Sequence, residues 1–157
     1  MTKRMVIAAL ALVGVFVALY LTLYKLGVFG TLRCGIGSCE TVNTSEWASF
    51  LGLPVAVWGL GFYLATLVVA LVGSQDRHAD APAVSTALVA MSGIGVAFSA
   101  WLTYLEAFVI HAYCMWCLVS AAIVVVIFAV SLADWRELRG ADGGGTASRP
   151  SVVPGEL

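Results

Sequence analysis

The chain has 157 residues, of which 61% are hydrophobic and only 11% charged, and its mean hydropathy is +0.99. A soluble domain is roughly a quarter charged, so this chain lacks the polar surface to cover a water-exposed globule, and lipid is its expected solvent. The net charge of −1 excludes the basic field that draws proteins to nucleic acid.

A bilayer crossing needs about 20 apolar residues in a helix. The first such run extends from Met5 to about Leu26, behind Lys3 and Arg4. It is longer than the apolar core of a signal peptide and no A-x-A-like cleavage site follows, so it reads as an uncleaved helix. The loop from Gly27 to Leu53 comes next. It carries Gly30, Gly35 and Gly37 around a first cysteine pair, Cys34-Gly35-Ile36-Gly37-Ser38-Cys39. Asn43-Thr44-Ser45-Glu46 has the form of a capping box, and Trp47, Phe50 and Leu51 follow at helical spacing. This pattern predicts a short helix over Thr44–Leu51, lying flat with Trp47 at headgroup level and ended by Gly52.

The second apolar run starts at Pro54, where a missing N–H costs little, and ends near Val72. A polar connector, Ser74 to Pro82, leads to a third run from about Val84 to Ile110. In that run Gly93 and Gly95, with Ser92 and Ser99, suit close helix packing. The fourth runs from about Ala112 to Ala133, so the last two form a tight hairpin around His111. Cys114-Met115-Trp116-Cys117 opens the fourth run. Backbone groups in lipid need internal partners, so each run is read as a helix. The expected fold is all-α: a polytopic membrane protein whose residues 1–133 make a four-transmembrane-helix bundle, with the short interfacial helix in its first outer loop. Residues 134–157 form a tail, rich in Gly, Ser and Pro from Gly140 and expected to be disordered. It is too short for a thioredoxin-like domain, which implies that any soluble redox partner is a separate chain.

Lys and Arg placement orients the bundle. Lys3, Arg4, Arg77, Arg136, Arg139 and Arg149 are six of the eight basic residues, and all fall on one side; Lys25 and Arg33 fall on the other. The expectation is a multi-pass protein of the cell (inner) membrane with both termini cytoplasmic. Both cysteine pairs then lie on the extracytoplasmic face, where disulfides persist.

No other cysteine is present. Cys-x-x-Cys at a helix N-terminus suits thiol chemistry, because free N–H groups and the positive dipole end stabilise a thiolate at Cys114, one turn from Cys117. The competing readings are buried packing cysteines, a structural staple at Cys34 and Cys39, and a four-cysteine zinc site. An oxidising face argues against the last, so no metal is expected.

Two pairs in this order resemble the vitamin K epoxide reductase family in its bacterial form. The resemblance rests on Cys34 and Cys39 and on Ser45 and Trp47 six and eight places after Cys39. It rests also on Gly52-Leu53-Pro54-Val55 with Gly59, and on Tyr104-Leu105-Glu106 leading to the Cys-x-x-Cys. It covers roughly Met5 to Ala133. It implies a bundle holding a quinone (menaquinone, ubiquinone or vitamin K-like) near Cys114 and Cys117. It also implies a separate thioredoxin-fold, DsbA-like protein that gives electrons to the loop pair, so that disulfides form in exported proteins. Carried over, Cys34 meets the partner, Cys39 bonds transiently to Cys114, and Cys117 faces the quinone; each exchange needs only thiolate attack on a disulfide. Ser45 resembles the family's loop serine, whose hydroxyl stabilises a thiolate or ties the loop to the site.

Candidate quinone contacts are Cys117, Trp47, Phe50, Val55, Trp58, Tyr113, Trp116 and Ala121. Animal members hold an asparagine and a tyrosine where Val55 and Ala121 stand, which favours plain quinone reduction over epoxide reduction. Trp116 also reads as a residue that tunes or shields the cysteines. Trp58, Tyr63, Trp101 and Tyr104 are further aromatic residues for a pocket, for the core or for the lipid face. Glu106, the only acidic residue well inside a predicted span, is a candidate proton relay or an interfacial carboxylate that reaches water. His111 reads as an exposed turn residue in preference to a thiolate partner. An unrelated family of quinone-linked thiol oxidases has the two pairs in the opposite order. The non-enzymatic alternative is a structural or assembly membrane protein with two inert disulfides.

Overall fold

A computed structural model describes residues 2–28, 30–31, 33–75 and 81–144. Helix α1 spans Thr2–Lys25, α3 Val55–Gly73, α4 Pro82–Leu105 and α5 Met115–Gly144; a short α2, Cys39–Thr44, lies in the first loop. Among the described residues, α1, α3, α4 with its continuation, and α5 are long and apolar enough to cross a membrane. At 1.5 Å per residue, the 24 residues of α1 reach about 36 Å, more than the hydrocarbon core.

α1 packs along α3 and α5, and α4 packs along α5. Ile7, Ala8, Ala11, Ala18, Tyr63, Ala70, Leu88, Val124 and Ile127 fill the space between them. Small residues set the approach: Gly14 faces the Tyr63 ring so closely that a Cβ would overlap it. Phe16 and Val68 point outward and stay uncovered, as lipid-facing side chains do. Hydroxyls inside the helices return their proton to the preceding turn, as in Thr22 to Ala18 O (2.7 Å) and Thr66 to Phe62 O (2.8 Å). These hydroxyls are thereby not left unpaired in lipid.

The bundle has two contrasting ends. Arg4, Gly73, Ser85 and Asp134 meet at one, and all four cysteines gather at the other. The expected grouping of Lys3, Arg4, Arg136 and Arg139 away from the cysteines follows from the helix order. Arg77 and Arg149 lie outside the described residues.

Three sequence expectations need revision. The helix expected over Thr44–Leu51 is absent. α2 ends at Thr44, a single 3-10 turn covers Glu46–Ala48, and Ser49–Phe50 (β1) pairs antiparallel with Leu53–Pro54 (β2). Leu51 (φ 53°) and Gly52 (φ 80°) form the tight turn between them, so Gly52 closes a hairpin where a helix stop was expected. Asn43 is not a cap either. It sits inside α2 and its side-chain amide donates to Cys39 O at 2.9 Å. Finally, α5 continues past Ala133 to Gly144, so residues 134–144 of the expected tail are helix; 145–157 lie outside the described residues.

α4 runs into a wider π turn, Glu106–Ile110, closed by the Ala112 N–H on Glu106 O at 3.1 Å. His111 then takes a left-handed conformation (φ 52°), and the chain reverses into α5. The extra residue of a π turn re-aims the side chains of the last turn, and Glu106 is the residue re-aimed.

Candidate active site

Cys34 and Cys39 are joined by a disulfide with Cα atoms 5.9 Å apart, and Cys114 and Cys117 are free thiols. Cys34 is partly exposed. Cys39 and Cys114 have no exposed surface and sit in one buried cluster with Val42. The loop pair is therefore asymmetric, with one sulfur open to a visitor and its mate packed beside Cys114.

Backbone pairing holds the two segments together. The Ser38 N–H donates to Tyr113 O at 3.0 Å, and Gly37 pairs with Cys114 as an isolated bridge. Gly37 has φ +87°, and a Cβ there would overlap the Tyr113 carbonyl. Only glycine lets the loop lie this close. Gly37→Ala is expected to lift the loop and slow electron transfer between the pairs about tenfold or more, from ~1–3 kcal/mol of strain. Quenched alkylation, following how fast reduced Cys34/Cys39 reduces an oxidised Cys114–Cys117, measures this; an unchanged rate refutes it.

The other side of the loop is latched through Arg33. Its N–H donates to the Tyr20 hydroxyl at 3.3 Å, and its carbonyl accepts the Trp116 indole N–H at 3.0 Å. The Tyr20 and Trp116 rings meet edge-on at 5.5 Å. The backbone before Cys34 is thus anchored to α1 and to the Cys-x-x-Cys turn itself. Lys25 Nζ adds a bond to Asn43 O.

Cys114 precedes α5. The Cys117 N–H points at its sulfur at 3.4 Å, and Asn43 Nδ2 approaches it at 3.9 Å. Hydrogen bonding from the Cys117 thiol, with the backbone N–H groups of Cys117 and Trp116, holds the Cys114 thiol below the ordinary thiol range despite burial and the nearby Glu106 carboxylate. Asn43 therefore bridges Cys39 O and Cys114 Sγ. The capping-box pattern points to a helix cap at Asn43, whereas its position one turn after Cys39 in α2 places it on the same face as that cysteine.

Below the cysteines lies a cavity of about 370 Å³ between α1, α3, α4 and α5, within the range of small-molecule sites. Cys117 and Glu106 lie in its wall, as do Ser45, Trp47, Phe50, Val55, Trp58 and Ala121. The hairpin forms one side: the Trp58 indole N–H donates to Phe50 O at 3.1 Å, and the Phe50 ring meets Trp58 and Phe98 edge-on. Tyr63 also lines the cavity, with its hydroxyl on Ser120 O at 2.9 Å. Tyr113 and Trp116 do not line it. Their expected quinone contacts give way to other roles, because Tyr113 offers its carbonyl to Ser38 and Trp116 points to Arg33. Ser45 donates its hydroxyl to Val42 O at 2.7 Å, so it secures the end of α2 and leaves the sulfurs to other donors.

Glu106 is 3% exposed and accepts the Cys114 N–H at 3.1 Å, so the reading of an interfacial carboxylate that reaches water does not hold. Among the described residues, no group of three or more His, Cys, Asp or Glu side chains is placed to hold a metal ion.

Residues 5–132 match the family described as the Vitamin K epoxide reductase family. The chain belongs to the vitamin K epoxide reductase family. That family comprises quinone-dependent disulfide oxidoreductases that generally pair with thioredoxin-fold partners. The cavity suits a quinone, since its wall is mainly apolar and aromatic, with a free thiol and a carboxyl at one end.

Proposed function

We propose that this protein oxidises a thioredoxin-fold dithiol partner and delivers the electrons to a membrane quinone, with the cysteine end facing the extracytoplasmic side. The observation that carries this reading is the joint burial of Cys39 and Cys114, between the partly exposed Cys34 and a Cys117 in the cavity wall. Arg and Lys placement supports the orientation.

The route follows from which sulfur is open. A partner thiolate attacks Cys34 Sγ, the accessible half of the disulfide, and Cys39 leaves as thiolate. The partner's second cysteine then frees Cys34, so two electrons now rest on the loop pair. Cys39 attacks Cys114 of an oxidised Cys114–Cys117 pair and releases Cys117. Cys34 resolves the Cys39–Cys114 bond, and Cys114 leaves readily because its thiol is the acidified one. Cys114 and Cys117 now hold both electrons, and Cys117 faces the cavity. A quinone bound there supplies a two-electron, two-proton acceptor. Trp58 and Phe50 fix the cavity side at the hairpin, and the apolar wall excludes water. With Val55 and Ala121 offering no hydrogen bonds, the reaction proposed is quinone reduction without epoxide opening.

The test is anaerobic mixing of purified protein with a reduced thioredoxin-fold protein and a soluble quinone analogue. Stoichiometric oxidation of the partner, with one quinol formed per disulfide, is expected. Loop and Cys-x-x-Cys pairs that resist exchange, with no quinol formed, would establish inert structural disulfides instead.

A further inference from the structure

Glu106 is, among the described residues, the one carboxylate in the cavity wall, and its surroundings are unusual for a structural acid. Among the described residues, neither lysine, arginine nor histidine lines that cavity. A buried carboxylate with no cation beside it is costly, and such groups are retained where they act. The hydrogen bonds of its carboxyl, among the described residues, are with the Cys-x-x-Cys. One oxygen accepts the Cys114 N–H at 3.1 Å, and the carboxyl lies within hydrogen-bonding reach of the Cys117 thiol. The π turn that begins at Glu106 gives this aim. A group that only capped the start of α5 would need an acceptor oxygen, which a neutral amide also provides.

We propose that Glu106 is a catalytic proton carrier: its carboxylate takes protons from the Cys117 thiol as Cys117 bonds to Cys114 and passes them to the oxygens of the reduced quinone. This rests on the quinone reading above. The balance closes. Two S–H bonds break, one S–S bond forms, and two electrons and two protons reach the quinone. Cys114 takes up a proton after it leaves Cys39. Cys114 and Cys117 hydrogen-bond to each other, so that proton reaches Glu106 through Cys117 after the first has gone, and Glu106 moves the two one after the other. Of the other titratable groups near this route, Tyr63 in the wall has its hydroxyl bound to Ser120. The wall is mainly apolar and offers a water chain few partners, which favours a fixed carrier.

Glu106→Gln tests this, because glutamine keeps an acceptor for the Cys114 N–H but cannot carry a proton. Quinone reduction is expected to fall about a hundredfold or more, while exchange from Cys39 to Cys114 keeps its rate. Glu106→Asp should restore part of the loss. A second readout needs no quinone. Redox difference infrared spectroscopy of the quinone-free protein, with Cys114 and Cys117 closed by a chemical oxidant, should show a protonated-carboxyl band on oxidation. That band should be missing in Glu106→Gln. Wild-type turnover by Glu106→Gln, or an infrared band unchanged by the substitution, overturns the proposal. If the wild-type protein exchanges disulfides yet reduces no quinone, the functional reading fails, and the infrared result still decides whether Glu106 receives the Cys117 proton.

Discussion

Cys117→Ala is expected to abolish quinone reduction; its Cys34–Cys39 disulfide still exchanges with a reduced thioredoxin-fold protein, and without that protein Cys114 attacks Cys39, releases Cys34 and accumulates a Cys39–Cys114 disulfide. The reasoning is positional. Cys34 is the exposed member of the loop disulfide, so its encounter with the partner does not involve Cys117, which sits in the cavity wall. In the wild-type protein Cys114 has two possible mates: Cys117 one turn away, and Cys39 in the same buried cluster. Removing Cys117 leaves only Cys39. The apolar packing of Val42, Ile110 and Ala112 around that pair shields the new bond from solution thiols, so the species should persist on non-reducing gels. Disulfide-linked peptides joining the segments around Cys39 and Cys114 in mass spectra are the expected signature, with Cys34 alkylated. Turnover of quinone at the wild-type rate, or a Cys34–Cys114 bond in place of Cys39–Cys114, refutes the assigned order. The effect is large because a two-electron donor needs two sulfurs: without Cys117, no disulfide can close beside the cavity.

The spans were legible because hydropathy is a sum over about 20 residues and tolerates local error. The expected start at Met5 and the observed start at Thr2 differ little for that reason. The two cysteine pairs were legible because their spacing is short and they flank predicted spans. Side-chain direction was not legible. Trp116 stands between two cysteines, so adjacency suggested a place in the pocket. Residues 114 and 117 are an i,i+3 pair on one face, and 116 turns away from them toward Arg33. Tyr113 contributes a backbone carbonyl, which no residue-type argument can foresee. The loop after α2 misled for another reason. Asn43 and Glu46 fit a capping box, and Gly52 fits a helix stop. The same residues equally serve a helix ended at Thr44 and a two-residue hairpin turn, and tertiary contact of Phe50 with Trp58 and Phe98 selects the second. Glu106 was legible as an anomaly, but its aim depends on the π turn, and that turn has no sequence period.

Arg4→Leu is expected to be the most destabilising single substitution at the end opposite the cysteines, and Arg4→Leu with Asp134→Leu to be milder. Arg4 is 2% exposed and ties together all four long helices. Its guanidinium donates to Gly73 O at 2.5 Å, to Ser85 Oγ at 3.2 Å and to Asp134 Oδ2 at 3.2 Å. Ser85 also donates to Asp134. Removing the arginine alone leaves a largely buried carboxylate and an orphaned carbonyl, a loss of about 3–5 kcal/mol for breaking one side of a buried pair. Removing both charges leaves apolar atoms in an apolar setting, which is often close to neutral. Thermal unfolding in detergent should show a Tm lower by roughly 10 °C for the single variant, with most of it recovered in the double variant. Equal losses in both would show that the arginine acts through packing alone. The neighbouring Lys3–Glu137 pair is largely exposed and should contribute little. Charge counting treated Lys3 and Arg4 as equivalent markers of one membrane side. Burial separates them: Lys3, with Arg136 and Arg139, remains to hold the orientation, so Arg4→Leu should unfold early yet insert the same way round.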